Sequence, residues 1–221
     1  MRAVTFLLVC LFAAFAFAES NRRLIVGAGG LLFADAAAAR TFSMNVPVEL
    51  AAAQVWTIGT NTTVNLNKTL TGAGAAVLSV KGAGTLNLSA ANPLPGETTF
   101  NGNDSNKRLT LNVKDPDALG GPEGSTKVNQ MTTALTFTQP GTVRRPISVY
   151  CPTNDKDRDV VGPTSGTLVF QEKYTTTQSN SRLAVYGGST IVFEQPVTTA
   201  SAWYINKLGS STAEGRVVCN A

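Results

Sequence analysis

The chain has 221 residues, a formal net charge of +4, no histidine, 7% aromatic residues and 14% charged residues. Without histidine, Ser-His-Asp and Cys-His catalysis are excluded, and so is the commonest metal ligand; chemistry based on carboxylates, Lys or Arg survives. Apolar content of 43% with so small a net charge excludes a disordered chain, and basic residues adjacent only at Arg22-Arg23, Lys107-Arg108 and Arg144-Arg145 give no nucleic-acid footprint.

The first 18 residues read as a secretory signal peptide: Arg2 is a short basic start, an apolar run follows, and Ala16-Phe17-Ala18 is an A-x-A cleavage pattern before Glu19. The run is shorter than the ~20 residues of a spanning helix, so cleavage is expected rather than anchoring. No later segment is apolar enough to span a bilayer as a helix. Removal of Arg2 lowers the formal charge of the mature chain, residues 19–221, to +3. Plentiful Thr, Asn, Ser, Gly and Val favour strands and turns over helices. The stretch Leu32–Arg40, LFADAAAAR, is the one helix-compatible segment, readable as a short helical cap or as a small-residue strand and corner.

From Val64 onward, alternating apolar pairs recur. Val64-Asn65-Leu66 is followed by Leu86-Asn87-Leu88 and then by Leu109-Thr110-Leu111. Leu135-Thr136-Phe137 continues the series at a slightly longer step, and Thr167–Gln171 (TLVFQ) repeats as Thr190–Glu194 (TIVFE). The common step is roughly 23 residues, a period in the range of solenoid repeats. Each pair has one apolar face and one face of Asn, Thr or Ser, and turn residues bound it. A rung of a parallel β-helix uses about this length of chain. An antiparallel sandwich also gives short strands, but at intervals of roughly 8–12 residues. The predicted fold is therefore an all-β parallel β-helix with rungs of about 22–24 residues, one domain over 19–221. The longer gap between Leu135 and Leu168 predicts an inserted loop over 138–166.

Three Gly-Ala-Gly tripeptides, at 27–29, 72–74 and 82–84, could suggest phosphate loops. Neither G-x-G-x-x-G opening a helix nor G-x-x-x-x-G-K-[ST] is completed, so they read as corner glycines. Asn61, Asn67, Asn87 and Asn103 stand in Asn-x-Ser/Thr sequons, which matter only in a eukaryotic secretory host.

Lys81–Gly102, KGAGTLNLSAANPLPGETTFNG, resembles the autotransporter-associated β-strand repeat, also called the passenger-associated transport repeat. Gly82, Gly84, Thr85, Leu86, Leu88, Ser89, Asn92, Gly96, Thr98 and Thr99 match its pattern, and Asp117–Gly121 resembles the Ala-Leu-Gly that closes a unit. The good match covers residues 81–121; Pro93-Leu94-Pro95 stands where the family has an aromatic, and Glu97 replaces a Gly. The resemblance implies a right-handed β-helix, exported and bacterial. Such proteins are commonly very large and sometimes carry a C-terminal membrane barrel. The end of this chain, GRVVCNA, lacks a terminal aromatic and a run of amphipathic strands, so a short secreted member or a piece of a longer gene is expected.

Asp155, Asp157 and Asp159 alternate in NDKDRDVVG, the spacing of a calcium loop. Val160 and Gly166 stand where an EF-hand-type loop needs Gly and Glu, and Lys156 and Arg158 neutralise the acids locally, so a solvated loop is favoured. A lyase-like site would need Lys114, Asp115, Asp117 and the Asp155 loop to converge. Trp56, Tyr150, Tyr186, Trp203 and Tyr204 would stack on sugars if exposed in a row, and are otherwise core or cap residues, with Trp203-Tyr204 suited to covering the last rung. Cys151 and Cys219 are either one disulfide or two thiols.

The expected function is a secreted or cell-surface, adhesin-like display scaffold without catalytic, cofactor or metal residues; the periplasm is the other location open to it. A glycan-binding or glycan-cleaving β-helix, and a truncated autotransporter-like fragment, are the alternatives. Expected partners are extracellular glycan or protein, with no nucleic acid.

Overall fold

The chain folds as a parallel β-solenoid of about seven turns in a computed structural model. The structure describes residues 23–72, 77–103, 106–150, 159–177, 181–199, 203–209 and 212–220. Residues 1–18, read from the sequence as a signal peptide, lie outside them.

Each turn contributes strands to up to three faces. The first face is an eight-stranded sheet of β2 (Leu31–Phe33), β5 (Gln54–Ile58), β8 (Leu78–Gly82), β10 (Glu97–Gly102), β12 (Ser125–Asn129), β15 (Ile147–Tyr150), β18 (Tyr174–Thr176) and β21 (Thr198–Thr199). The second, also eight-stranded, holds β3 (Arg40–Met44), β6 (Thr62–Leu66), β9 (Thr85–Leu88), β11 (Leu109–Val113), β13 (Thr133–Phe137), β16 (Asp159–Val161), β19 (Ser181–Tyr186) and β22 (Trp203–Leu208). The third face is split. One sheet has β1 (Leu24–Val26), β4 (Val48–Leu50) and β7 (Leu70–Gly72); the other has β14 (Gly141–Val143), β17 (Gly166–Phe170), β20 (Ser189–Phe193) and β23 (Arg216–Cys219).

The alternating sequence explains the stack. Inward residues of one rung sit over those of the next, so Val64, Leu86, Leu111, Leu135, Val160 and Leu183 form one buried row along the second face. The step along that row is nearly constant, as stacking of equivalent positions requires. Leu111, not Leu109, lies over Leu86; matching Leu86 to Leu109 slips the register by two, which a period-2 pattern cannot detect. The long gap before Leu168 has a similar origin. Leu135 is on the second face and Leu168 on the third, and β14, β15 and β16 lie between them, one on each face. Strands of different faces look alike in sequence because those of the inner rungs bury every second side chain whichever face they occupy. Residues 151–158 lie outside the described set.

The core becomes aromatic toward the C-terminal end. Phe170 stacks on Phe193 with centroids 5.0 Å apart and an interplanar angle of 8°, while Phe137 meets Phe170 edge-on at 5.5 Å. Tyr174 packs against both Phe170 and Phe193, and burial raises its phenol pKa well above the usual value. Trp56 is fully buried, its indole N–H donating to Gln54 Oε1 at 2.9 Å.

Outside the second face, an amide row reinforces the stack. The side-chain amides of Asn112, Asn87 and Asn65 donate in turn to Asn87 Oδ1 at 2.8 Å, Asn65 Oδ1 at 2.6 Å and Ser43 Oγ at 3.2 Å. Asn87 and Asn67, two of the sequon asparagines, are thus bonded to neighbouring rungs. Leu32–Arg40 is a strand end and corner, not a helix. The corner at Gly82-Ala83-Gly84 needs glycine: Gly82 has φ of +118°, and a Cβ there would collide with the carbonyl oxygen of Ile58.

Prolines 93 and 95 fall where the third face has no strand. Between β7 and β14, two rungs replace their third strand with Asn92–Pro95 and with a 3-10 turn over Pro116–Leu119. Proline lacks the N–H a ladder requires, so it suits this interruption. Asn92 supplies the missing links: its Oδ1 accepts from Leu70 N at 2.7 Å and its Nδ2 donates to Ala118 O at 2.5 Å. Leu94 keeps the inward position and is buried.

Candidate binding groove on the first face

The sequence singles out acids and bases for a catalytic groove, and the structure commits several of them elsewhere. Asp115 caps the 3-10 turn, its Oδ1 accepting from Asp117 N at 2.9 Å. Asp117 pairs with Arg144 at 2.5 Å. Lys114 is exposed at the start of the same corner. Asp155 and Asp157 lie outside the described residues, and so does Cys151; Cys219 is exposed at the end of β23. Among the described residues no group of three His, Cys, Asp or Glu could hold a metal ion. No helix among them is long and apolar enough to cross a membrane.

The aromatics also separate. Trp56 is core, whereas Tyr150 is 40% exposed. Tyr204 lies in β22 with the guanidinium of Arg182 over its ring, 5.0 Å from Cζ to the ring centroid, on the outside of the last rung rather than across its end. The side chain of Trp203 is outside the described set.

One surface brings several polar groups together. The outer side of β10, β12, β15 and β18 forms a groove of about 380 Å³. Two in-register rows wall it. Asn101, Asn129 and Tyr150 form one, and Thr99, Lys127 and Ser148 the other. Buried Val128 lies at its floor, and Thr177 closes one end. Lys127 is held by Glu97 at 2.6 Å, so the groove carries no uncompensated charge from this pair.

The amides are oriented by their own bonds. Asn101 Oδ1 accepts from Asn129 Nδ2 at 3.0 Å and from Thr132 Oγ1 at 2.9 Å. Asn129 Oδ1 accepts from Met131 N at 3.1 Å. Sequence reasoning names Tyr150 but misses Asn101 and Asn129, because nothing local distinguishes them from the amide row on the second face. Only the register shows that they sit beside an open tyrosine.

A buried cation braces this face from behind. Arg145 is 1% exposed at the corner leading into β15. Its guanidinium donates to the carbonyl oxygens of Leu94 at 2.6 Å, Ser125 at 2.9 Å and Gly96, and to Thr126 Oγ1 at 2.9 Å. These groups precede or begin β10 and β12, so one side chain ties three successive rungs. Burial pushes its pKa down to about 10, which leaves it charged at neutral pH.

No family model matches the chain, and neither does any curated protein or solved structure.

Proposed function

We propose that this protein is an exported, non-catalytic β-solenoid of the passenger type, a rigid display scaffold at the cell surface or beyond. The observation that carries the reading is the unbroken register of eight strands on each of two faces. With strands ~4.8 Å apart, seven spacings make a rod of roughly 34 Å whose outer side chains are fixed relative to one another. Such a body suits presentation of contacts to an extracellular glycan or protein. The leader-like residues 1–18 support export, and residues 81–121 support the bacterial passenger likeness. The use of Asp115 as a cap and Asp117 in an ion pair favours display over cleavage.

The test is expression of the full chain with a C-terminal tag in a secretion-competent bacterium, followed by fractionation and N-terminal mass analysis. A chain beginning at Glu19 and recovered outside the cytoplasm is expected. Recovery in the cytoplasm with Met1 retained overturns the reading. Reading the gene downstream for further repeats or a barrel tests whether this rod is one part of a larger passenger.

A further inference from the structure

We propose that the groove on the first face binds a neutral glycan chain laid along the solenoid axis, across the strands. The inference rests on the display reading only for where the glycan is met; the groove itself is argued from its side chains.

Its chemistry selects the ligand class. Asn101 lines the groove and spends both acceptor directions of its carbonyl on Asn129 and Thr132, which fixes the amide plane and leaves its two N–H donors uncommitted by those bonds. Asn129 offers one more. Ser148 and Thr99 add hydroxyls on the parallel row, roughly 7 Å away along the strands. Tyr150 supplies an exposed ring with an apolar face and a polar tip. Fixed donors for hydroxyl oxygens beside an aromatic platform suit a sugar ring, and a volume of about 380 Å³ lies within the range of small-ligand sites.

Other classes fit less well. A phosphate-rich ligand needs uncompensated cations, whereas Lys127 is paired with Glu97. An extended peptide adding a strand needs an open sheet edge, whereas β10, β12 and β15 are each paired on both sides.

The test is calorimetric titration of the secreted, full-length mature chain with a panel of neutral oligosaccharides (gluco-, manno-, galacto- and xylo-) and with oligouronates. Saturable binding of at least one neutral member is expected. Tyr150→Ala should weaken it at least tenfold, and Asn101→Asp, which keeps the carbonyl acceptor but removes both donors, at least fivefold. Tyr150→Phe keeps the ring and should stay within about twofold. Thr110→Ala, on the outer side of the second face, should change nothing. Folding of each variant is checked by its unfolding midpoint; should Tyr150→Ala unfold, the contrast between Tyr150→Phe and Asn101→Asp decides. Binding of no neutral sugar, binding indifferent to Asn101→Asp, or binding of oligouronates alone with loss in Lys127→Met overturns the proposal. Export is scored separately by fractionation, so groove and display can fail independently.

Discussion

Arg145 donates to the carbonyl oxygen of Leu94 at 2.6 Å, across 51 residues of chain and two turns of the coil. The third face is interrupted in that region, so the guanidinium satisfies carbonyls that no strand neighbour reaches. Arg145→Leu should therefore strand several buried acceptors and cost roughly 3–5 kcal/mol. Arg145→Lys, which keeps the charge but loses the fork, should fall between the variant and the wild type. Gly124 is part of the same device, because a Cβ there would stand 2.6 Å from the guanidinium nitrogens. Gly124→Ala should destabilise in the same direction. Urea unfolding of the three variants checks the order.

The aromatic stack makes a second prediction. Phe170 touches Phe137, Tyr174 and Phe193 and is buried. Phe170→Ala should cost about 3–5 kcal/mol, since close-packed neighbours relax little into the cavity. In a solenoid each rung contacts mainly its neighbours, so the loss should be local. Amide hydrogen exchange should accelerate most in β17 and β20 and least in β5 and β6.

Both ends of the coil expose inward rows. Ile205 continues the buried row through Leu183 and is 49% exposed, and Phe42 opens the same row at the other end. Each terminal strand of this face also places a cation in an inward row. Arg40 stands in register with buried Thr62, and Lys207 with buried Val185. Inward charges guard unpaired edges against stacking. The double variant Arg40→Leu with Lys207→Leu should form end-to-end assemblies. Sedimentation velocity is expected to show species larger than the wild type that grow with concentration.

Stability should be nearly level between about pH 6 and 9. The chain has no histidine. Arg145, pushed down to about 10, holds its proton in both folded and unfolded chains across that window and contributes no slope. Above about 10 the unfolded chain keeps a proton that the folded chain loses, so this group alone makes stability rise with pH. Thermal midpoints measured across the window check the plateau.

The fold was legible because burial of every second side chain is written into the strands of the central rungs. Leu86 and Leu88 point inward as their alternation predicts. Which face a strand occupies was not legible. Leu135 and Leu168 carry the same local pattern and lie on different faces, and only hydrogen-bond register separates them. Pro93 and Pro95 marked a break in the repeat, but the compensating bonds join Asn92 to Leu70 and Ala118, and Leu94 to Arg145, partners that lie far off in the chain. The groove was hidden for the same reason. Asn101, Asn129 and Tyr150 each stand a full turn of the coil from the next and become neighbours through register alone.

The central claim, display without catalysis, is tested most directly by following polymer length. The purified mature chain is incubated with neutral polysaccharides and polyuronates, and product size is measured by mass spectrometry over time. Unchanged chain length is the predicted result. Shortened chains or unsaturated ends, abolished by Asp117→Asn or Lys114→Met in protein that remains folded, would contradict it.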